Sequence, residues 1–312
     1  MRKASVCPGV FVGGLGLAAI LACGGLNSAV PGATPAKPEV TASPAFWTAW
    51  GDGKAELSGY AVTTSRYGAP REGRAVLIYV TEPMDRRNWI KDDSGDVPRE
   101  ERVNVLKLNH VLKFQTGIYP YSVMTSVFAP VDGLSAERFA PAKIAMSAQE
   151  WCGHVYQKVI ARPEAFASEL RSYFHAEGDR DTTVKISPGT LYEDALLIQL
   201  RELDGPFAGG KDWAGSIVPS LWAQRKRHAA LEAVAATIRR EDATRDGAPV
   251  TRFTLAYGSV ATTYDVEKAV PRRVLGWKTT EGDETRLLKT ARLPYWQLNG
   301  QGDEKYLREL GM

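Results

Sequence analysis

The sequence predicts a mainly β fold, drawn as a strongly curved antiparallel sheet or open half-barrel with one or two short helices. Three observations carry that prediction. Apolar and polar residues alternate with a period of two along much of the chain, the spacing of a half-buried strand. Strand-like runs follow one another through short turns, without the βαβ alternation that builds parallel sheets. Helical spacing is confined to two short stretches. A two-sheet β-sandwich is the alternative that the same pattern allows.

Taken in order, the first 22 residues carry Arg2 and Lys3, then an uncharged stretch from Val6 to Ala22. Positive charge followed by an apolar run is how a secretory signal reads. The run ends in Ile20-Leu21-Ala22-Cys23-Gly24, with a branched apolar residue three before the cysteine and alanine one before it. That pattern predicts a lipoprotein signal peptide over 1–22 and lipid attachment at Cys23. Several acyl chains together give stable anchoring, where one alone binds marginally. Residues 23–44 then read as the lipidated cysteine and a tether. Its stretch from Gly24 to Pro44 has four prolines, three glycines, two charges and no apolar period, so it spans roughly 25 Å as a flexible coil. Gly24, where an acidic residue would favour retention at the inner membrane, points to the outer membrane facing the periplasm in a Gram-negative cell.

Residues 45–312 are read as a single β-rich domain. Tyr60, Val62 and Thr64 share one strand face, and Ala75 to Val80 is a run of strand formers. Val103, Val105, Lys107 and Asn109 lie opposite Leu106, Leu108, His110 and Leu112. Ile118 to Phe128, Ile144 to Val155 and Leu170 to Phe174 continue the alternation. Thr251 to Tyr257, Ala261 to Val266, Arg273 to Thr279 and Thr285 to Ala291 complete it, the last two joined by a hairpin turn at Thr280-Glu281-Gly282-Asp283. Tyr192 to Leu203 places four apolar residues beside Glu193 and Asp194, as in a short amphipathic helix. His228 to Arg240 fits either a helix or a strand.

Composition excludes several classes. Lys and Arg number 39 against 36 Asp and Glu, too even a balance for a nucleic-acid binder that works by neutralising phosphates. Three cysteines cannot build a disulfide scaffold, whereas eight Trp and twelve Tyr promise an aromatic core or cavity. Gly205 to Lys211 matches G-x-x-x-x-G-K, but Asp212 stands where a magnesium-binding hydroxyl belongs, so it reads as a turn. Asp92, Asp93 and Asp96 lack the glycine and glutamate spacing of a calcium loop. Neither a metal nor a cofactor is predicted.

Gln149-Glu150-Trp151-Cys152-Gly153-His154 is the most reactive constellation. On one continuous strand, Glu150, Cys152 and His154 share a face, and the imidazole could activate the thiol or join it in binding zinc. They are weak catalytic candidates beside the reading of Cys152 as a small buried hydrophobe. His175, Glu177 and Asp179 repeat the spacing near a strand end. Trp151, Glu177 and Asp179 are weak ligand-binding candidates. Arg225-Lys226-Arg227-His228, beside Trp222, reads as a solvated basic edge.

Several blocks carry a family likeness: Trp50 to Leu57, Arg66-Tyr67-Gly68, Leu77 to Glu82, Thr116 to Ser122, Gln149 to Gly153, Glu177 to Asp179 and Leu293 to Trp296. Together they resemble a family of secreted bacterial proteins of uncharacterised function, some labelled "septum formation inhibitor Maf". True Maf proteins are cytoplasmic pyrophosphatases with a Ser/Arg-rich loop after an early strand, a motif this chain lacks. The family brings no catalytic residues. The C-terminal run of strands around Pro271-Arg272-Arg273 is also similar to periplasmic half-barrels of the lipoprotein-carrier type, which wrap a sheet around an apolar cavity.

The functional expectation is a lipid-anchored envelope protein that binds an apolar or amphipathic ligand, or an envelope protein partner, without catalysis. An envelope hydrolase using Glu150 to His154 and a structural assembly partner are the alternatives. The expected partners are the membrane, through Cys23, and a lipid or apolar ligand; nucleic acid is not among them.

Overall fold

The computed structural model describes residues 41–132 and 138–312. The signal peptide, Cys23 and the tether up to residue 40 lie outside the described residues. Thr41 bridges to Asp132, and Ser43 caps a helix by accepting from the Phe46 amide at 3.2 Å. The described structure thus includes Thr41 to Pro44, the last residues of the stretch read as a tether.

That helix, α1 (Pro44–Trp50), precedes a run of strands. They are β1 (Ala55–Arg66), β2 (Ala69–Asp85), β3 (Ile90–Lys91), β4 (Arg102–Thr116), β5 (Tyr119–Pro130), β6 (Lys143–Glu150), β7 (Gly153–Arg162), β8 (Ala165–Ser172) and β9 (Arg180–Lys185). A two-residue strand β10 (Leu191–Tyr192) leads through a 3-10 turn into α2 (Leu196–Gln199). After β11 (Trp213–Val218) and α3 (Leu221–Arg227) come β12 (Val234–Arg245), β13 (Ala248–Tyr257), β14 (Val260–Glu267), β15 (Val274–Thr279) and β16 (Glu284–Leu293).

Every strand belongs to one sheet, so the sandwich alternative is set aside. The sheet runs β10-β11-β12-β13-β14-β15-β16-β1-β2-β4-β5-β6-β7-β8-β9, with β3 attached to β2. All neighbours are antiparallel except β10 and β11. The two ends of the sheet, β9 and β10, are not hydrogen-bonded to each other. Yet residues 186–190 alone connect them, and that short linker holds the edges within about 20 Å. The sheet is therefore an open barrel with one seam.

The expected alternation is present. Tyr60, Leu77, Tyr79, Leu108, Val123, Ile144, Met146, Phe253 and Leu255 point into one continuous core. The interior is filled by α2 and its flanks, where Tyr192, Leu196, Ile198 and Leu200 are buried. Antiparallel order places the turns after β1, β4, β6, β8, β13 and β15 at one end of the barrel, which α3 crosses. At the other end Phe46 and Trp50 of α1 pack inward, and Arg201 is 0% exposed. Its guanidinium makes two bonds to Glu56 at 2.8 and 3.0 Å, donates to the carbonyls of Pro271 and Arg272, and lies 4.4 Å from the Tyr79 ring centre. Four of its five N–H donors meet acceptors and a carboxylate balances the charge, which is the condition for tolerating it. Outside the barrel, the C-terminal segment Asp303–Leu310 packs Leu310 against Leu57 and Val80. Gly59 permits that approach, since a Cβ there would lie 2.1 Å from the Leu310 carbonyl oxygen.

Two expectations are corrected. Ile144 to Val155 is not one strand: Glu150 pairs with Gly153 across a turn at Trp151-Cys152. A Cβ on Gly153 would lie 2.5 Å from the Tyr173 ring, so ring packing demands glycine there. The helical stretch Tyr192 to Leu203 shortens to a 3-10 turn at Glu193–Ala195 and the four residues of α2. The open choice over 228–240 resolves to strand β12. Among the described residues, no helix is long and apolar enough to cross a membrane.

Candidate ligand cavity at the α3 end of the barrel

The chain rises along β11 and turns at Pro219-Ser220 into the seven residues of α3. Ser220 caps the helix, its hydroxyl accepting from the Ala223 amide at 3.1 Å. Two further helix-end amides, which no backbone carbonyl reaches, are met from inside the barrel. Glu193 Oε2 accepts from the Ser220 amide at 3.0 Å, and Asp194 Oδ2 from the Leu221 amide at 2.9 Å. The Tyr257 hydroxyl also donates to Glu193 Oε2, at 2.9 Å. Adjacent carboxylates are thus held beneath α3 in an otherwise apolar interior.

Burial dominates their ionisation. It pushes the Asp194 carboxyl up to about 7, against the pull of the Leu221 amide. It raises Glu193 as well, although the bonds from Ser220 and Tyr257 oppose the shift. Nearby, enclosure lowers the His110 imidazole to about 4, so this ring is neutral near pH 7. His110 packs edge-on against Trp277 at 5.7 Å. Among the described residues its ring makes no hydrogen bond.

These groups line a cavity of about 110 Å³ in the barrel lumen. That is the scale of a small ring, a little below an engineered apolar cavity of about 150 Å³ that holds benzene. Its wall also includes Trp222, Tyr264 and Trp277. Two polar groups in that wall have no partner among the described residues: the hydroxyl of Thr262, 2% exposed, and the indole N–H of Trp222. Buried donors and acceptors are nearly always satisfied, and each one left unmade is destabilising.

The basic run Arg225 to His228 is not the solvated edge that composition suggested. Arg225 and His228 both bond Glu177, the His228 Nδ1 at 2.8 Å. Lys226 pairs with Asp283, and Arg227 with Glu281, its Nε at 2.8 Å. The helix is strapped to the β8–β9 connection on one side and to the β15–β16 turn on the other. Burial works against ionisation of Glu177, but bonds from Ser172 and His228 and the Arg225 charge outweigh it and hold the carboxyl below the usual range. Glu177 is therefore a strap residue, beside a hollow of about 300 Å³ between β9 and residues 228–231. Asp179 accepts from the Ser172 amide at 3.3 Å and supports the same connection.

The remaining sequence candidates sit on the rim. Glu150 accepts from the Cys152 amide at 2.7 Å and closes the β6–β7 turn. Cys152 is exposed, and its bond to Glu150 raises the thiol above its usual value, away from the reactive thiolate. His154 is the second residue of β7, paired with Gln149, so the three do not share a strand face. Trp151 is 69% exposed at the turn. Asp92 is occupied by Arg102 at 2.7 Å and by the Gly95 amide. Among the described residues no group of three or more His, Cys, Asp or Glu could hold a metal ion. Sequence reasoning missed the lumen set of His110, Glu193, Asp194, Trp222 and Thr262. Its one local signal was a pair of adjacent acids between Tyr192 and a wholly apolar run.

No protein-family profile matches the chain, and no curated protein matches it. Among solved structures it is similar to the crystal structure of a β-barrel-like protein of Domain of Unknown Function DUF1849 from Brucella abortus. The identity is 12% and the TM-score 0.45, over 77% of this chain and 98% of that one.

Proposed function

We propose that this chain is a lipid-anchored envelope protein, held at the outer membrane through Cys23 and facing the periplasm, whose barrel binds a small amphipathic ligand at the α3 end. The ligand reading is carried by one observation: a ring-sized cavity in the barrel whose wall joins Trp222, Tyr264 and Trp277 to the buried carboxyl groups of Glu193 and Asp194. Apolar walls with a few convergent polar groups are the usual make-up of a small-molecule site. The anchor reading rests on Arg2, Lys3, the uncharged run to Ala22 and the residues before Cys23.

Two experiments test it. Protein purified from its host is analysed by native mass spectrometry, and its tryptophan fluorescence is titrated with a small apolar probe. Co-purifying mass, or quenching that Thr262→Phe abolishes, supports the site. Clean apo-protein that quenches no probe overturns it. Metabolic labelling with palmitate and a Cys23→Ser variant test the anchor, which fails if the variant is labelled and stays with the membranes.

A further inference from the structure

We infer that the turn tips along one half of the α3 end form a docking edge for an anionic lipid bilayer. This goes beyond the ligand reading and is independent of the lumen; from the anchor reading it takes only the position of the membrane.

Four neighbouring hairpins end there, β1–β2, β4–β5, β6–β7 and β8–β9, and each presents one large apolar side chain to water. Tyr67 is 59% exposed, Ile118 80%, Trp151 69% and Tyr173 70%. Strands lie about 4.8 Å apart, so successive tips stand about 10 Å from one another along an arc of about 30 Å. At the same end, the turns after β13 and β15 read Gly258-Ser259 and Thr280-Glu281-Gly282-Asp283. At the opposite end, those after β7 and β12 read Pro163-Glu164 and Asp246-Gly247. Exposed Ile90 and Val270 stand singly in charged stretches, which is ordinary for a surface; four apolar residues on adjacent tips are not.

The tips are held in place. Tyr67 bonds the Tyr121 hydroxyl at 2.6 Å beneath the Arg66 guanidinium, which lies 4.5 Å from its ring centre, and Trp151 packs beside Tyr119 at 6.4 Å between centres. Trp and Tyr combine an apolar body with a polar tip, the composition that settles at a membrane interface.

Charge selects the kind of surface. Residues 61–74 and 113–122 build the first two hairpin ends and hold Arg66, Arg71, Arg74 and Lys113 against Glu72 alone. Arg66 bonds the Tyr121 hydroxyl and Arg71 a carbonyl oxygen. Among the described residues, none of the four cations pairs with a carboxylate. On the other two hairpins Glu150, Glu177 and Asp179 are taken up by the Cys152 amide, by α3 and by the Ser172 amide. Each uncommitted cation near an anionic headgroup layer strengthens binding about fivefold.

Spacing and reach favour a bilayer as the occupant. Tips about 10 Å apart, with polar strand ends between them, offer a rigid partner no continuous apolar core to cover, whereas lipid closes around each tip. The described chain starts at Thr41, bridged to Asp132 beyond the far end of β5. The 12 residues of β5 span about 40 Å. Residues 24–40 reach about 60 Å at full extension, so an anchor at Cys23 leaves the tips within reach of the same leaflet.

The test uses the full chain with Cys7→Ser and Cys23→Ser, which leaves Cys152 as the one thiol, labelled with a nitrobenzoxadiazole fluorophore. It is titrated with vesicles of phosphatidylglycerol and phosphatidylethanolamine, and with vesicles of phosphatidylcholine alone. The emission is expected to shift to the blue and become shielded from iodide on the anionic vesicles, with binding about tenfold or more tighter than to phosphatidylcholine. Attachment through the apolar leader alone would leave this probe in water. Ile118→Asp with Tyr173→Asp, both at exposed positions, should abolish the shift with the circular dichroism unchanged. Arg71→Gln with Lys113→Gln should weaken anionic binding about tenfold or more and leave phosphatidylcholine binding as it was. A probe that stays in water on both vesicles, a shift that survives the paired aspartates, or equal binding to both lipids overturns the inference. A Cys152 crosslink to an envelope protein in intact cells, with no shift on vesicles, would give the tips to that protein instead. Because Cys23→Ser removes the proposed anchor, failure of palmitate labelling leaves each of these outcomes as it stands.

Discussion

Asp194→Asn tests the energetics of the lumen directly. The carboxyl titrates at about 7 in the folded chain and at 3.8 without the fold, because burial disfavours the ionised form. A carboxyl whose folded value is raised holds its proton longer in the native state. Between the two values the native state binds more protons than the unfolded one, so this group's contribution falls as pH rises from about 4 to about 7. Above that window the full difference, about three units, corresponds to about 4 kcal/mol against folding. Asparagine keeps a carbonyl oxygen to accept from the Leu221 amide, bonded to Asp194 at 2.9 Å, and never ionises. The variant should therefore be more stable than the parent by about 2–4 kcal/mol at pH 8.5, and by only about 1 kcal/mol at pH 4.5. Urea unfolding followed by tryptophan fluorescence at both pH values measures this. His110, lowered to about 4, works in the opposite sense by destabilising the fold as pH falls below 6.5. Its effect is common to both proteins and cancels in their difference. A difference that does not change with pH, or a variant weaker than its parent at pH 8.5, would refute the reasoning.

Three further outcomes follow from the packing. Glu56→Gln leaves the fully buried Arg201 charge without its carboxylate; it should cost about 3–5 kcal/mol and lower the melting temperature on the order of 10 °C, and a calorimetric shift under 2 °C would contradict it. Gly59→Ala drives a Cβ into the Leu310 carbonyl; a loss of about 1–3 kcal/mol is expected, together with proteolytic cutting within residues 303–310 that the parent resists. Cys152→Ser changes an exposed turn residue and should leave stability within about 0.5 kcal/mol. In the parent, the thiol should react with iodoacetamide at pH 7.5 more slowly than free cysteine does, because Glu150 holds its proton on.

Local pattern made the strands legible and left the cavity hidden. Leu106 and Leu108, or Ala75, Leu77 and Tyr79, announce themselves because one strand decides which side chains turn inward. The hairpin after Thr279 was legible for the same reason, since Gly282 and Asp283 are turn formers in place. The turn at Trp151-Cys152 was not, because Gly153, which follows it, is required by the ring of Tyr173 in the connection after β8. α3 is too short for a 3.6-residue period, and its basic run looks solvated until Glu177, Glu281 and Asp283 arrive from distant parts of the chain. Glu193 and Asp194 likewise read as the wet side of a helix. They become buried because that helix lies within the barrel, a placement that sheet closure decides and no window of sequence contains.

The seam gives the straps on α3 a mechanical meaning. A closed barrel has a circumference fixed by its strand count, because every strand is laced to the next by backbone hydrogen bonds. Here the lacing stops at β9 on one side and β10 on the other. At the α3 end, a short crossbar runs over the mouth from the β8–β9 connection, beside the seam, to the β15–β16 turn, and its fastenings are ion pairs: Glu177 with Arg225 at one side, Asp283 and Glu281 with Lys226 and Arg227 at the other. Backbone lacing is indifferent to dissolved ions, whereas partly exposed charge pairs weaken as ionic strength rises. The bore of the barrel at this end is thus gauged by charge, and its width becomes something the surrounding salt can adjust.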